Sequence, residues 1–362
     1  MELTAIVGQR SGIGEFAYRM AEAVASHVDA TGFMVSLRRH GQLRQALPAG
    51  VDYLNLPLPA RPLLASWQRW YRPDLRDLFH GFDVIHGTNF VVPPARGKAT
   101  VVTVHDLTPL LYPRLCRPEV LAFPTLVRHA VQAGSFVHTP SEFIRGQVID
   151  YFGVEPDRVV AIAHGITPLQ ARPSLPPIAH QLGGRPYILA MSTLEPRKGL
   201  NYLVQAFADL TARYPDLRLV LTGQYGWGFD ELLASVHTPA LTHRILLPGY
   251  VTEDTRSWLL RNALLFAYPS LYEGFGLPLL EAMSVGTPVV TTTAGAIVEV
   301  VGDAAITVAP RSADELVTAL TAVIEKDELR GELIARGRKR AALFSWHRSG
   351  EQMAALYAKA AR

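Results

Sequence analysis

The 362-residue sequence contains one cysteine, Cys116, so no disulfide can form within the chain and a disulfide-stapled secreted scaffold is excluded. Long apolar runs are missing too. Arg, Asp, Pro or Gly interrupts every stretch that approaches the roughly 20 residues a bilayer demands, and no membrane-spanning segment is expected. Met1–Val7 lacks the length and basic start of a signal peptide, which points to a cytoplasmic protein. Charge is sparse at 19%, the net charge is only +3, and neither a Lys-rich tail nor a nucleic-acid module is present, so nucleic acid is not an expected partner. What is abundant is apolar residue (49%), with Gly 28 and Pro 26, the composition of a folded globular chain long enough for two domains.

Apolar β-rich runs alternate with helix-like ones. Leu3-Val7 precedes Phe16-Ser26, Phe82-His86 leads to Ala99-Val104, and Phe136-Thr139 precedes Ser141-Phe152. This alternation predicts α/β layers with parallel sheets. Val159-Ala163 closes the first series. Residues 166–186 then carry Pro168, Pro173, Pro176, Pro177 and Gly183-Gly184, which predicts neither helix nor strand but a linker, placed at 169–186. A second series opens at Tyr187-Met191, with a helix over Leu200-Tyr214 and strands at Leu217-Thr222, Arg244-Leu247, Leu264-Ala267 and Pro288-Thr292. The expected domains are therefore 1–168 and 187–345, with the apolar stripe of a last helix, 346–362, needing a surface to bury it. Parallel sheets present ligands at the C-terminal ends of their strands, so two such domains facing each other would place a site in a cleft between them.

The loop Gly8-Gln9-Arg10-Ser11-Gly12-Ile13-Gly14 follows a strand-like run and opens a helix, which allows backbone amides near a phosphate or sugar, or simply makes a tight turn. It lacks the full spacing of a dinucleotide fingerprint, which disfavours an oxidoreductase. In the second half, Thr193-Leu194-Glu195-Pro196-Arg197-Lys198-Gly199 sets two adjacent cations above a strand end. An arginine fork and a lysine point charge together suit a diphosphate. The densest run, Pro269 to Met283, holds Glu273 and Glu281 eight positions apart, with Pro278 suited to a first helical turn. Carboxylates there can accept hydrogen bonds from sugar or ribose hydroxyls.

Glu273-Gly274-Phe275-Gly276-Leu277-Pro278-Leu279-Leu280-Glu281-Ala282-Met283, followed by Gly286-Thr287-Pro288, resembles the Glu-x7-Glu signature of glycosyltransferase family 4. Ordered matches run along nearly the whole chain, including His105-Asp106, Leu194 to Lys198, Gly223-Gln224-Tyr225-Gly226-Trp227, Pro248 to Val251 and Phe344-Ser345-Trp346. The resemblance implies a GT-B fold: two Rossmann-like domains, the nucleotide held by the second, and the C-terminal helix returning to the first. It assigns Arg197 and Lys198 to the diphosphate, Glu281 to the ribose, Glu273 to the donor sugar hydroxyls, Gly12 and Gly14 to the phosphate-sugar region, and His105 to the transferred sugar. Gly223 and Tyr250 would border the nucleotide, and Gly274, Phe275, Gly276 and Leu277 would shape the donor loop.

No Asp-x-Asp motif stands in a donor loop, so the resemblance implies a metal-independent, retaining transfer without cofactor, in which a donor phosphate oxygen takes the acceptor proton. The branch with O-antigen and capsule mannosyltransferases is the nearest, implying GDP-mannose as donor and a glycan or lipid-linked acceptor. A UDP- or dTDP-sugar, a sugar-nucleotide epimerase and a catalytically silent nucleotide-binding subunit are the rivals. A basic stretch with Arg38, Arg39, Arg44, Arg61, Arg69, Arg72 and Arg76 also stands out. Leu63, Leu64, Trp67, Trp70, Tyr71, Leu75, Leu78 and Phe79 interleave with its second half. That pattern suits either a packed surface helix or peripheral contact with an anionic membrane.

Overall fold

In the computed structural model the described residues are 1–8, 12–37 and 40–362, with His40 described in its main chain only. Gln9, Arg10 and Ser11 of the first loop, and Arg38 and Arg39 of the basic stretch, lie outside them. The chain forms two units, Met1–Gly165 joined by Ser345–Arg362, and Ile166–Phe344.

In the N-terminal unit the strands are β1 (Ala30–Val35), β2 (Val51–Leu56), β3 (Val84–Gly87), β4 (Ala99–Thr103), β5 (Phe136–Thr139) and β6 (Val159–Ala161). β1 pairs with β2, and β3-β4-β5-β6 form a second run, all parallel. Glu2 bridges both Phe33 and Gly87 in parallel, so the first residues run between β1 and β3. The strand expected at Leu3-Val7 is corrected to a 3-10 turn at Thr4–Ile6. Ile6 of that turn and Leu3, the residue just before it, are both fully buried and three apart, which matches the three-residue period of a 3-10 helix.

Helix Gly12–Val24 buries Phe16, Ala17, Met20, Ala21 and Val24. The last helix, Trp346–Ala360, places Met353, Leu356 and Tyr357 in the same core, so its apolar stripe is buried on the N-terminal unit. Two glycines permit that fit. A Cβ on Gly350 would lie 2.7 Å from the Ala23 carbonyl oxygen, and one on Gly165 would lie 2.1 Å from the Trp346 nitrogen. Gly165→Ala is therefore expected to lower unfolding free energy by about 1–3 kcal/mol, the usual scale of overpacking. An unchanged urea midpoint would refute that closeness.

The C-terminal unit contains β7 (Tyr187–Met191), β8 (Arg218–Thr222), β9 (Ile245–Gly249), β10 (Leu265–Tyr268), β11 (Val289–Thr292) and β12 (Ile306–Val308). Their order is β12-β11-β10-β7-β8-β9, all parallel. This is the doubly wound arrangement, in which chain direction across the sheet reverses between β7 and β10, and ligands bind outside the strand ends at such a switch point. The loops leaving β7 and β10 carry the cation and carboxylate motifs.

Residues 169–186 do not form a plain linker. They include helix Pro177–Leu182, whose Ile178 and Leu182 are buried, and they are fastened to helix Glu253–Asn262 of the same unit. Gln170 N donates to Ser257 Oγ at 3.1 Å, and Arg261 Nε donates to the Gln170 carbonyl at 2.8 Å. Proline is compatible with this helix because Pro177 occupies its first turn, where no amide partner is needed.

The basic stretch forms helix Ala60–Trp70 and a 3-10 turn at Arg76–Phe79. Leu63, Trp67, Leu75 and Phe79 turn inward, and Trp67 Nε1 donates to the Pro73 carbonyl at 3.1 Å. Half of its eight apolar residues are thus buried in the unit's own packing, while Leu64, Trp70 and Leu78 stay exposed, Trp70 at 65%. No described helix is long and apolar enough to cross a membrane.

Candidate functional site

Beyond β7 the chain turns through Pro196–Lys198, a 3-10 turn ended by Gly199 at φ 63°. Only glycine fits there, since a Cβ would meet the Pro269 carbonyl oxygen at 2.1 Å. Leu271 N donates to the Arg197 carbonyl at 2.8 Å, which fastens the loop after β10 to the cations. The result brings Arg197, Lys198 and Glu273 into direct contact.

Lys198 is 8% exposed and Glu273 7%. Lys198 Nζ donates to Glu273 Oε1 at 2.5 Å and to the Tyr268 hydroxyl at 3.2 Å. Arg197 divides its fork between Glu273 Oε2 at 3.3 Å and Glu195 Oε1 at 2.9 Å, and also donates to the Tyr272 carbonyl at 3.0 Å. Tyr268 and Ser270 hydroxyls donate to Glu273 Oε1 at 2.9 and 2.7 Å. Burial alone would raise the Glu273 carboxyl, but the Lys198 and Arg197 charges and the hydrogen bonds bring it down to about 2. Burial and the adjacent Arg197 push Lys198 below its ordinary value, against the pull of Glu273 and Glu195. Two cations thus face two carboxylates, and the cluster is near charge balance before any ligand arrives. This is no solvated surface pair.

Glu281 sits in helix Leu277–Val285, preceded by Gly276 at φ 117°. It is 4% exposed and forms an ion pair with Arg256 of helix Glu253–Asn262. The loop before helix Leu277–Val285 holds Gly274 and Phe275, the latter buried with its ring edge-on to Phe344 at 5.8 Å. Gly295 closes over it: a Cβ there would lie 2.2 Å from the Glu273 carbonyl oxygen, which accepts from Ala296 N at 2.9 Å. At the end of β8, Gly223 has φ 145°, and a Cβ would lie 1.8 Å from the Ser192 carbonyl oxygen. Tyr250 follows β9 and is 55% exposed, as is Tyr225, whose hydroxyl would lie 3.2 Å from a Cβ on Gly249. Both rings are thus exposed in the segments that follow β8 and β9.

In the N-terminal unit His105 follows β4 and is 7% exposed. Its Nε2–H donates to the Thr88 carbonyl at 2.9 Å, and its ring packs edge-on against Phe16 at 4.9 Å and Phe90 at 5.6 Å. Burial lowers its pKa to about 4, against the Thr88 bond and the charge of Asp106. His105 is therefore a neutral ring, and Nδ1 is its acceptor. Gly12 opens the helix Gly12–Val24 and is exposed, and Gly14, its third residue, is buried.

Sequence reasoning gave no role to Glu195, Tyr268, Ser270 or Arg256. Glu195 and Ser270 lay inside the quoted motifs and Tyr268 one residue outside, whereas nothing in the order of residues points to Arg256. Among the described residues, no group of three or more His, Cys, Asp or Glu side chains is arranged to hold a metal ion.

The sequence pattern of Glycosyltransferase Family 4 matches residues 10–168, and that of Glycosyl transferases group 1 matches residues 176–340. O-antigen chain mannosyltransferase B of Escherichia coli is 32% identical over 331 residues, covering 88% of this chain and 83% of that protein. The chain belongs to the family 4 glycosyltransferases. This glycosyltransferase is also 30% identical to the MMP alpha-(1->4)-mannosyltransferase of Mycolicibacterium hassiacum over 304 residues, covering 77% of this chain and 71% of that one. Among solved structures, Anabaena Alr3699/HepE in complex with UDP-glucose superposes with a TM-score of 0.75 at 19% identity over 97% of each chain. WaaG, a glycosyltransferase involved in lipopolysaccharide biosynthesis, gives 0.73 at 18% identity over 96% of each. The fold is GT-B, with its two Rossmann-like domains.

Proposed function

We propose that this glycosyltransferase moves mannose, with retention of configuration, from GDP-mannose to a glycan or lipid-linked acceptor in cell-surface polysaccharide synthesis. The observation that carries the reading is the buried Arg197/Lys198/Glu273 cluster at the β7/β10 switch point, supported by mannosyltransferase relatives at about 30% identity. In this reading Arg197 and Lys198 hold the diphosphate and stabilise the charge that develops on it as the sugar departs, a task that needs no divalent cation. Glu281 takes the ribose hydroxyls, displacing part of its bond with Arg256. Tyr225 and Tyr250 border the base. His105 accepts a hydrogen bond from the transferred sugar through Nδ1, and Gly12 and Gly14 border the phosphate-sugar region. No side chain is assigned as base, because a donor phosphate oxygen takes the acceptor proton. Peripheral contact with an anionic cytoplasmic membrane face belongs to the same proposal. It rests on exposed Trp70, Leu64 and Leu78 beside Arg61, Arg69, Arg72 and Arg76.

A thermal-shift comparison of GDP, UDP, ADP and dTDP tests the donor, since a bound nucleotide raises stability by its binding free energy. GDP should give the largest shift, and transfer from GDP-mannose should persist in EDTA and yield an α-linked product. A larger shift with UDP makes a UDP-sugar the donor. Loss of transfer restored only by Mg2+ or Mn2+ rejects the metal-free chemistry, and a β-linked product rejects retention.

A further inference from the structure

Two buried polar atoms of the N-terminal unit, Asn89 Oδ1 and Thr108 Oγ1, have no hydrogen-bond partner among the described residues. A buried polar group without a partner is costly, and natural folds keep few of them. Both stand at the same edge of the sheet: Asn89 follows β3 by two residues and Thr108 follows β4 by five, and these strands are parallel neighbours. Other atoms hold the two loops in place. Phe90 N donates to the Thr103 carbonyl at 2.9 Å, Val91 N to the Asn89 carbonyl at 2.7 Å, and Thr108 N to Asp106 Oδ1 at 2.8 Å. A Cβ on Gly87 would lie 1.9 Å from the Val91 carbonyl oxygen, so the turn through Asn89 lies tight against the strand end. Phe90 within that turn has φ 59°, a left-handed conformation that residues with a side chain rarely adopt and that concentrates at ligand sites. His105 joins the two loops, donating to the Thr88 carbonyl and packing against Phe90.

We propose that Asn89 and Thr108 bind hydroxyl groups of the acceptor sugar beside His105. The proposal rests on the glycan-acceptor reading of this enzyme. A sugar hydroxyl both donates and accepts, so it suits a carboxamide oxygen and a threonine hydroxyl alike. Burial keeps the His105 ring neutral, so this edge offers uncharged partners. They stand beside the Phe90 ring, itself stacked on Phe123 at 4.9 Å. An apolar wall with a few placed polar groups is the usual make-up of a small-molecule site. A phosphate is poorly served here. Asp106 is acidic, and Arg19, on the helix whose Phe16 meets the His105 ring, is already shared between Glu15 and Glu22 at 2.8 and 3.0 Å.

Methyl α-glycosides of mannose, glucose, galactose and N-acetylglucosamine serve as acceptor probes, used with the sugar nucleotide that the wild type accepts. The acceptor KM of the best of them reads this site, and titration of the free nucleotide reads the donor side separately. Thr108→Val keeps the shape and removes only the hydroxyl, and Asn89→Ala removes the carboxamide. Each should raise the acceptor KM by about fivefold or more, the scale of one hydrogen bond, and leave the nucleotide Kd unchanged. Thr108→Ser, which keeps the hydroxyl, should restore the wild-type KM. Thermal unfolding separates binding from packing. Replacing an unpartnered hydroxyl by a methyl leaves the melting temperature level or higher, whereas loss of a hydroxyl held by a buried water lowers it without moving KM, and that result overturns the proposal. Unchanged KM in both variants also overturns it and leaves the glycan-acceptor reading standing. If the wild type transfers sugar to none of the four glycosides, the glycan-acceptor reading itself fails, and this proposal with it.

Discussion

Replacing Lys198 with alanine lowers the rate of sugar transfer by about 10²-fold or more, and Arg197→Ala does the same, because each removes one preorganised stabiliser of charge on the departing diphosphate. The two side chains leave the same short turn after β7, and both are drawn towards Glu273. Their adjacency would be repulsive alone. Glu195 and Glu273 offset that repulsion and hold both cations ready, so no reorganisation is needed when the ligand arrives. Lys198→Ala also leaves the buried Glu273 carboxylate without its nearest cation, and removing one partner of such a pair costs about 3–5 kcal/mol of stability. Activity and thermal stability must be measured together for that reason. Arg197→Ala leaves Lys198 in place against Glu273 and supplies the cleaner kinetic comparison. Transfer near the wild-type rate in both variants would remove the diphosphate from this site.

Those cations were legible in the sequence because a motif between a strand and a helix fixes its own position at a strand end. The same holds for the strands buried on both faces. Tyr187–Met191 is a continuous apolar run, and the structure starts and ends both it and Phe136–Thr139 where the residues do. β1 was missed because Gly32 interrupts its run, and β2 because Asp52 and Asn55 face outward from a half-exposed strand. β12, with three residues, is too short to show a period. A Cβ on Gly32 would meet the terminal methyls of Leu47 and Leu3 at 2.6 and 2.8 Å, so a larger residue there would have to push those two side chains aside.

Tertiary contacts account for the rest. Arg256 reaches Glu281 from a separate helix, and no spacing along the chain encodes that meeting. Tyr268 and Ser270 stand five and three residues before Glu273, yet their hydroxyls meet its carboxylate only because the loop after β10 folds back over the strand end. In the basic stretch, interleaved apolar and cationic residues read as one amphipathic face. Packing divides that face, with Trp67 inside and Trp70 outside.

The N-terminal unit should lose stability steeply as pH falls below about 6.5, the ordinary histidine value. Tyr357 of the last helix hydrogen-bonds His86 Nδ1 at 2.6 Å, and His86 Nε2 meets Thr103 Oγ1 at 2.7 Å. Thr103 Oγ1 in turn lies 2.9 Å from His138 Nδ1, whose Nε2–H donates to the Ile162 carbonyl at 3.0 Å. The last helix is thereby joined to β3, β4 and β5 through imidazoles that must stay neutral. Burial lowers all four histidines of this region: His105 to about 4, His138 to about 3, and His86 and His164 well below their usual value, with neighbouring histidines adding to the effect on the last three. Burial also lowers the Met1 ammonium to about 5. Between about pH 6.5 and 4 the unfolded chain binds protons that the folded unit refuses, so stability rises with pH across this window and is lost on acidification. Each such histidine contributes up to about 1.4 kcal/mol per pH unit, and four together approach about 5 kcal/mol per unit. Against a typical total of about 5–15 kcal/mol, that is enough to unfold the unit near pH 5. Urea unfolding followed from pH 8 to pH 5 measures the slope directly. His138→Gln, which cannot take up a proton, should reduce it by about 1.4 kcal/mol per pH unit, whereas a wild-type profile flat to pH 5 would show that these imidazoles are already accessible to protons in the folded protein.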